Sequence, residues 1–307
     1  MNKTIVRQEL LKILPKNLVL EDEPMKNHTS FNIGGPIDFL VLPKTEEQLV
    51  RLIEFCKNGD IFVKVIGNGS NLLVCDNGVD GIFIKTTGLR EIACERQNTV
   101  TAQSGAMLGR LANFCKDNSL TGMEFAHGIP GTVGGAVWMN AGAYDGEISA
   151  VLTKSRVLDG DLKVAELDNS GHEFDYRQSV FTKNQQLVIL SSCFELKPGN
   201  SEQIKAKMDD FLARRAQKQP LNLPSAGSTF KRPDGDFASR LVDECGLKGY
   251  AIGGACVSEK HAGFIVNKAN ATFEDVVLLI DYVKEQVFKQ RGIMLECEVL
   301  IVNRDGI

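Results

Sequence analysis

GIPGTVGGAVWMNAGAYDGE, residues 128–147, decides the reading of this chain. Five glycines and a proline fall between Gly128 and Gly142, and Gly146 follows. A hydrophobic core has no need of so many residues without a Cβ. A backbone that passes very close to something does. Gly134, Gly135 and Ala136 leave room for a flat or phosphorylated ligand against the main chain. A second glycine loop, Gly67-Asn68-Gly69-Ser70-Asn71, follows the apolar run 61–66. Tight turns alone also place glycine after a strand. Two such loops together favour one large ligand, of dinucleotide size, held at two places.

A nicotinamide-binding Rossmann unit is disfavoured. Its fingerprint needs G-x-G-x-x-G between a strand and a helix. The loop at 67–72 lacks the third glycine, and Leu72, Leu73 and Val74 read as strand rather than helix.

The chain has 307 residues, enough for two or three domains with ample core. Its net charge of −4, without a long basic run, argues against nucleic acid as partner. None of the eight cysteines forms C-x-x-C, and none is followed by histidine at zinc spacing. The expectation is reduced cysteine in the cytosol and no catalytic metal. The N-terminal MNKTIVRQELLKIL reads as a charged amphipathic helix rather than a leader. No apolar run approaches the ~20 residues of a membrane-spanning helix.

Along the chain the pattern gives a first helix to about Leu14, a strand at 39–42, and a helix capped by Thr45 with Gln48 in a capping box and Gly59 at its end. Strands follow at 61–66, 82–86 and 99–103, then a helix over about 107–116 and the long glycine loop. Strands at 153–158 and 187–195 close this part. Pro198-Gly199-Asn200 marks a boundary, so the expected domains are 1–199, with subdomains of about 1–70 and 71–199, and 200–307. Beyond it, Ser201 caps a long helix, a helix spans 236–245, Thr272 caps a helix through Gln290, and 295–302 is a terminal strand. Helices and strands mix without strict alternation, which is the mark of α+β domains.

Three polar clusters are candidates for chemistry. Arg177, in Tyr176-Arg177-Gln178-Ser179, is either a solvated rim residue or a fork for a carboxylate or phosphate. Ser228, in Ala226-Gly227-Ser228-Thr229-Phe230-Lys231, is either a turn hydroxyl or one aimed at a ligand. Glu296 and Glu298 share one face of the terminal strand, either its solvent side or an acid turned into a cleft. His127, just before the glycine stretch, reads as a hydrogen-bonded loop histidine, with a covalent flavin link as the alternative.

Read in order, TSFNIGG at 29–35, GNGSNLLV at 67–74, the stretch at 128–147, YRQSVF at 176–181, AGSTFKRP at 226–233, GLKGYAIGGACVSEKHAGFIVN at 246–267 and LECEV at 295–299 closely resemble the UDP-N-acetylenolpyruvoylglucosamine reductases, in their shorter type without the tyrosine-loop insertion. Each motif alone is modest; seven in order are specific and cover nearly the whole chain. The resemblance implies an α+β fold: an FAD-binding domain of the vanillyl-alcohol-oxidase (PCMH) type in two α+β subdomains, then a C-terminal α+β substrate domain. It implies non-covalent FAD, NADPH as co-substrate, and reduction of an enolpyruvyl sugar nucleotide for peptidoglycan synthesis in a bacterial cytoplasm. No nucleic-acid, membrane or obligate protein partner is expected. Hydride would reach C3 from reduced flavin and a proton would reach C2 from Ser228, with Arg177 and Glu298 polarising the substrate carboxylate. FAD contacts are expected from Gly67, Asn68, Gly69, Ser70, Asn71, Gly131, Thr132, Gly134, Gly135 and Ala136. Tyr176, Arg215, Lys218 and Lys231 are expected on the substrate. The chain departs from the family pattern at Cys297, where proline is common, and at Leu300, where arginine is common.

Overall fold

Helix α1, Lys3–Ile13, starts on Asn2, whose side chain accepts the N–H groups of Thr4 and Ile5. It buries Val6 and Leu10 and stops before Pro15. Helix α2, Glu46–Asn58, is capped by Thr45, whose hydroxyl takes the Gln48 N–H, and two acids occupy its first turn. The expected capping box is half made: the Gln48 side chain takes the N–H of Lys44, not of Thr45. Gly59 ends this helix at φ −93°, so no left-handed cap forms. These helices pack on a four-stranded sheet of order Val19–Pro24, Pro36–Val41, Val79–Lys85, Val63–Ile66, the last two parallel. Val6, Leu10, Phe39, Val41, Leu49, Leu52, Ile82 and Ile84 form the core between them. Each fully buried side chain of this size contributes roughly 1.5–3 kcal/mol.

The computed structural model describes residues 2–96 and 98–303, and the chain falls into two units. The first is Met1–Glu21, Phe39–Asn68 and Gly81–Arg214; the second is Asp22–Asp38, Gly69–Asp80 and Arg215–Ile307. These units follow compactness. They divide the chain at Arg214, not at the residue 199 boundary expected for domains of function, and they give two N-terminal segments to the second unit.

The first unit continues with a five-stranded antiparallel sheet of order Val164–Asp168, Leu152–Leu158, Val188–Glu195, Thr99–Gln103, Ile92–Arg96. Helices α3, Leu108–Asp117, α4, Val133–Trp138, and α5, Val180–Lys183, share its core with Val100, Val157, Phe181 and Phe194. His172 is fully buried there. Its Nδ1 lies 2.6 Å from the Asp168 carbonyl and its Nε2 2.9 Å from Ser155 Oγ, which in turn lies 2.9 Å from Ser192 Oγ. Helix α6, Ser201–Lys218, is capped by Asn200, whose Oδ1 takes the Gln203 N–H at 3.0 Å; the expected cap, Ser201, is the first helical residue.

In the second unit, helices α7, Ala238–Glu244, and α8, Phe273–Arg291, share a core with the strands Ala255–Val257 and Ile265–Asn267. Thr272 and Asp275 form a complete capping box on α8, and Gly292 closes it at φ +69°.

Two further expectations are corrected, and one strand went unread. The long glycine loop contains α4, which the glycines conceal. The expected strand 295–302 is regular only over Leu300–Val302, which pairs in parallel with Leu72–Val74. Residues 296–298 pair instead with the loop 229–231, through the bridge Phe230↔Cys297. Strand Val164–Asp168 went unread because it is a mostly exposed edge with no apolar alternation.

Candidate active site

Thr132 organises the glycine stretch. It is 1% exposed, and its hydroxyl takes the Gly135 N–H at 3.4 Å to cap α4. Val133 N–H reaches the Ala106 carbonyl at 2.8 Å and Gly134 N–H the Ser104 carbonyl at 2.7 Å, while the Gly131 carbonyl accepts from Leu108 at 3.0 Å. The first-turn amides of α4 are therefore spent within the protein. A Cβ on Gly134 would lie 2.9 Å from Ser104 Cβ, and one on Gly67 would collide with Thr132 Oγ1. Both glycines are needed for the protein's own packing. Gly135 differs. It is exposed, and a Cβ there would meet only Thr132 Oγ1, at 3.6 Å. Ala136 behind it is 3% exposed.

In the glycine loop at 67–71, the N–H groups of Asn68, Gly69 and Ser70 have no protein acceptor among the described residues. Three such amides in succession, with Gly69 turned to φ +71°, suit an anion without any basic side chain. The Asn68 side chain holds the loop to the glycine stretch through the Pro130 carbonyl at 2.8 Å. Ser104 Oγ and His127 Nδ1 are buried without a hydrogen-bond partner among the described residues. Burial holds the His127 imidazole below its usual pKa, so it is neutral at pH 7.

Arg177 sits in the turn closed by the bridge Asp175↔Gln178, at φ +56°. Its guanidinium stands 5.1 Å from the centre of the Tyr176 ring. Nη2 donates to the Gly142 carbonyl at 3.1 Å, and Nη1 is 3.5 Å from the Asn140 carbonyl. The fork is thus aimed by main-chain acceptors from the glycine-rich stretch.

In the second unit the structure brings together two segments read separately from sequence. Glu298 N–H donates to the Thr229 carbonyl at 2.8 Å, and Lys231 N–H to the Glu296 carbonyl at 2.9 Å, so Ser228 stands one residue from the partner of Glu298. The two neighbouring hydroxyls differ. Thr229 is 2% exposed and its Oγ1 takes the Ile265 N–H at 3.0 Å. Ser228 is half-buried after Gly227, at φ +81°, and its hydroxyl makes no hydrogen bond to the protein among the described residues. The two glutamates differ as well. Glu296 is a solvent-side group, its side chain 72% exposed and paired with Lys231 at 3.2 Å. Glu298 is half-buried, and its carbonyl takes the Asn71 side-chain amide at 3.0 Å.

Comparison with known proteins gives this arrangement a lineage. Residues 37–168 match a family model described as FAD binding domain, and residues 219–302 one described as UDP-N-acetylenolpyruvoylglucosamine reductase, C-terminal domain. A relative of that reductase name from Clostridioides difficile is 46% identical over 305 residues, covering 99% of this chain and all of the relative. The chain belongs to the UDP-N-acetylenolpyruvoylglucosamine reductase family. A Clostridium perfringens relative of the same name is 47% identical over 92% of this chain and 93% of its own. The crystal structure of the reductase from Thermus caldophilus superposes with a TM-score of 0.78 at 31% identity, covering 92% of this chain and 97% of that one.

As a member of the reductase family the protein is an α+β flavoprotein and an oxidoreductase with FAD as its cofactor. The first unit fits that cofactor: Gly135 presents an open face, and the Ser104 hydroxyl is buried without a hydrogen-bond partner among the described residues.

For the expected substrate contacts, Arg214 is exposed and paired with Asp210 at 2.8 Å, whereas Arg215 is half-buried in the last turn of α6 beside exposed Lys218. Cys297 and Leu300 fill their positions without charge. The Cys297 thiol, raised by burial, faces the Val299 carbonyl at 3.4 Å, and Leu300 N–H binds the Asn71 carbonyl at 3.0 Å. Sequence reading missed Asn140 and Ser104. Neither belongs to a motif of reactive residues, and only burial and hydrogen bonding single them out.

Proposed function

We propose that the chain reduces the enolpyruvyl group of UDP-N-acetylenolpyruvoylglucosamine with NADPH as co-substrate, yielding UDP-N-acetylmuramate for peptidoglycan in a bacterial cytoplasm. The single observation that carries the residue-level reading is the contrast between two adjacent hydroxyls: Thr229 is committed to the Ile265 amide and Ser228 is uncommitted. No helix among the described residues is long and apolar enough to cross a membrane.

FAD, when bound, supplies the two-electron chemistry, and Gly67 to Asn71 together with 131–136 would hold it. The protein's own residues do the rest. Reduction at C3 of the enolpyruvyl group places negative charge on C2 and the carboxylate. Arg177 meets that carboxylate as a charge-assisted fork, and the bond strengthens as charge builds. Glu298 assists the same carboxylate, either as a protonated donor or by donating through another group, since an ionised carboxylate alone would repel the substrate. Ser228 delivers the proton to C2. A hydroxyl is a weak acid, but protonating a carbanion-like carbon is downhill, so its position matters more than its acidity. Tyr176, Arg215, Lys218 and Lys231 contact the sugar nucleotide. Residues 1–199 form the FAD domain and 200–307 the substrate domain.

Stopped-flow absorbance separates the steps. Ser228→Ala should reduce flavin with NADPH at near-normal rate yet lose a hundredfold or more, on the order expected for a positioned general acid, in reoxidation by substrate. Ser228→Cys should recover part of the loss. Reoxidation untouched in Ser228→Ala, or a slowed NADPH step, contradicts the assignment.

A further inference from the structure

Asn140 is 2% exposed and adopts φ +44°, in the turn that follows α4. Its side chain joins two segments distant in sequence. Oδ1 accepts the Ser149 N–H at 3.0 Å, and Nδ2 donates to the Asp175 carbonyl at 3.2 Å. Its main-chain carbonyl, with that of Gly142, faces the Arg177 guanidinium at 3.5 and 3.1 Å. Asn140 therefore grips the turn that carries Arg177 two residues before it, and also supplies part of the surface against which the guanidinium rests. Arg177 itself occupies the left-handed region, at φ +56°, which a side chain of this size holds only where its surroundings dictate it. Asp175↔Gln178 closes the turn, but that bridge is internal to it and does not fix where it sits. The Asn140 amide is one side-chain tie that does, together with Ser179 Oγ on the Trp138 carbonyl at 2.5 Å.

We propose that Asn140 is a positioning residue for Arg177, setting the guanidinium where it can form both bonds to the carboxylate of the sugar nucleotide. The proposal rests on the carboxylate-binding role assigned to Arg177 above. A two-pronged bond is unforgiving of displacement, because moving a reacting group by about 1 Å costs on the order of a hundredfold. Both side-chain bonds of Asn140 go to main-chain groups, and the one to Asp175 acts on Arg177 through the turn.

The test uses FAD-loaded full-length enzyme. Asn140→Gly keeps the left-handed backbone and the carbonyl while deleting both side-chain bonds. Asn140→Asp keeps the acceptor for Ser149 and replaces the donor to Asp175 with a second acceptor oxygen. Two nucleotides are titrated: UDP-N-acetylmuramate, which carries the carboxylate, and UDP-N-acetylglucosamine, which lacks it. Both variants should weaken the first about tenfold, a share of the cost of full misplacement, and leave the second unchanged. In an Arg177→Ala background, Asn140→Gly should cost nothing more, because residues acting through one group are non-additive. Equal weakening of both nucleotides, or the same loss with and without Arg177, would show a merely structural Asn140. If Arg177→Ala discriminates between the nucleotides and the Asn140 variants do not, the proposal fails and the Arg177 role survives. If Arg177→Ala discriminates neither, both fall.

Discussion

A methyl group on Gly135 should strengthen the fold and weaken the cofactor. Gly135 lies in the first turn of α4, and a Cβ there has only Thr132 Oγ1 within 4 Å, at the ordinary contact distance of 3.6 Å. The protein therefore has room for alanine. Replacing a helical glycine by alanine is worth up to about 1 kcal/mol, less in a helix of six residues. The apoprotein should gain at most a few degrees in Tm. FAD, if its ring rests on this face, loses its closest approach. Gly135→Ala should weaken it about tenfold, which is ~1.4 kcal/mol, and Gly135→Val more than a hundredfold, since the added methyls occupy the face itself. Gly134→Ala is the control, because its Cβ would lie 2.9 Å from Ser104 Cβ and 3.0 Å from the Ser104 carbonyl. That variant should lower apoprotein Tm as well as affinity. The assay is thermal unfolding of apoprotein beside a flavin-fluorescence titration. The signature is opposite signs for Gly135→Ala and matching losses for Gly134→Ala. A Gly135→Val protein that binds FAD with wild-type affinity refutes the placement.

Ser104→Ala removes a buried hydroxyl that has no protein partner, so apoprotein stability should hold or rise while FAD weakens roughly fivefold, the worth of one hydrogen bond; unchanged affinity by titration would mean that the hydroxyl does not meet the cofactor. Thr229→Ala should cost about 1–2 kcal/mol in denaturant stability, because the buried Ile265 N–H loses its acceptor, yet leave substrate-driven reoxidation within a few-fold of wild type. His172, fully buried, is held below its usual pKa first by burial, with the Asp168 carbonyl opposing. The unfolded chain then binds the proton more readily than the fold. The contribution is complete above the unfolded value of about 6.5 and declines as pH falls below it. Urea midpoints should drop from pH 7 to 5, and His172→Gln should flatten that slope; an unaltered slope would shift the effect to His127 and His261, which burial also depresses. Arg215→Ala should raise KM for the sugar nucleotide with kcat little changed, and an unchanged KM would return Arg215 to a helix-end role.

Much of the fold was legible because local chemistry and burial agree. Thr45 and Thr272 start helices where expected, and the run from Val188 to Phe194 is buried, with only Glu195 at its end exposed. The glycine stretch was the hardest to read. Absence of a Cβ is the same signal whether the close neighbour is a ligand or the protein. At Gly67 and Gly134 the neighbours are Thr132 and Ser104, whereas Gly135 opens outward. Helix α4 was hidden for the same reason, since glycine disfavours helix and tertiary bonds to Ser104 and Ala106, with the Thr132 cap and core burial, stabilise it. At the C-terminus, alternation was real: Leu295 and Val299 are buried, and Glu296 is exposed. It was read as a continuous strand because pairing with residues 229–231 is invisible without the fold. Of the candidate residues, Ser228 and Glu298 came from distant motifs whose meeting no local pattern reveals. Asn140 gave no signal, because a buried amide is distinguished only by what it touches.

The central claim is that flavin in this protein passes reducing equivalents from NADPH to an enolpyruvyl sugar nucleotide. Anaerobic absorbance of the purified holoenzyme tests it directly. NADPH should bleach the flavin band, and colour should return promptly on adding UDP-N-acetylenolpyruvoylglucosamine, with one UDP-N-acetylmuramate formed per flavin reoxidised. A band that stays bleached with the sugar nucleotide and returns only when oxygen is admitted would contradict the account.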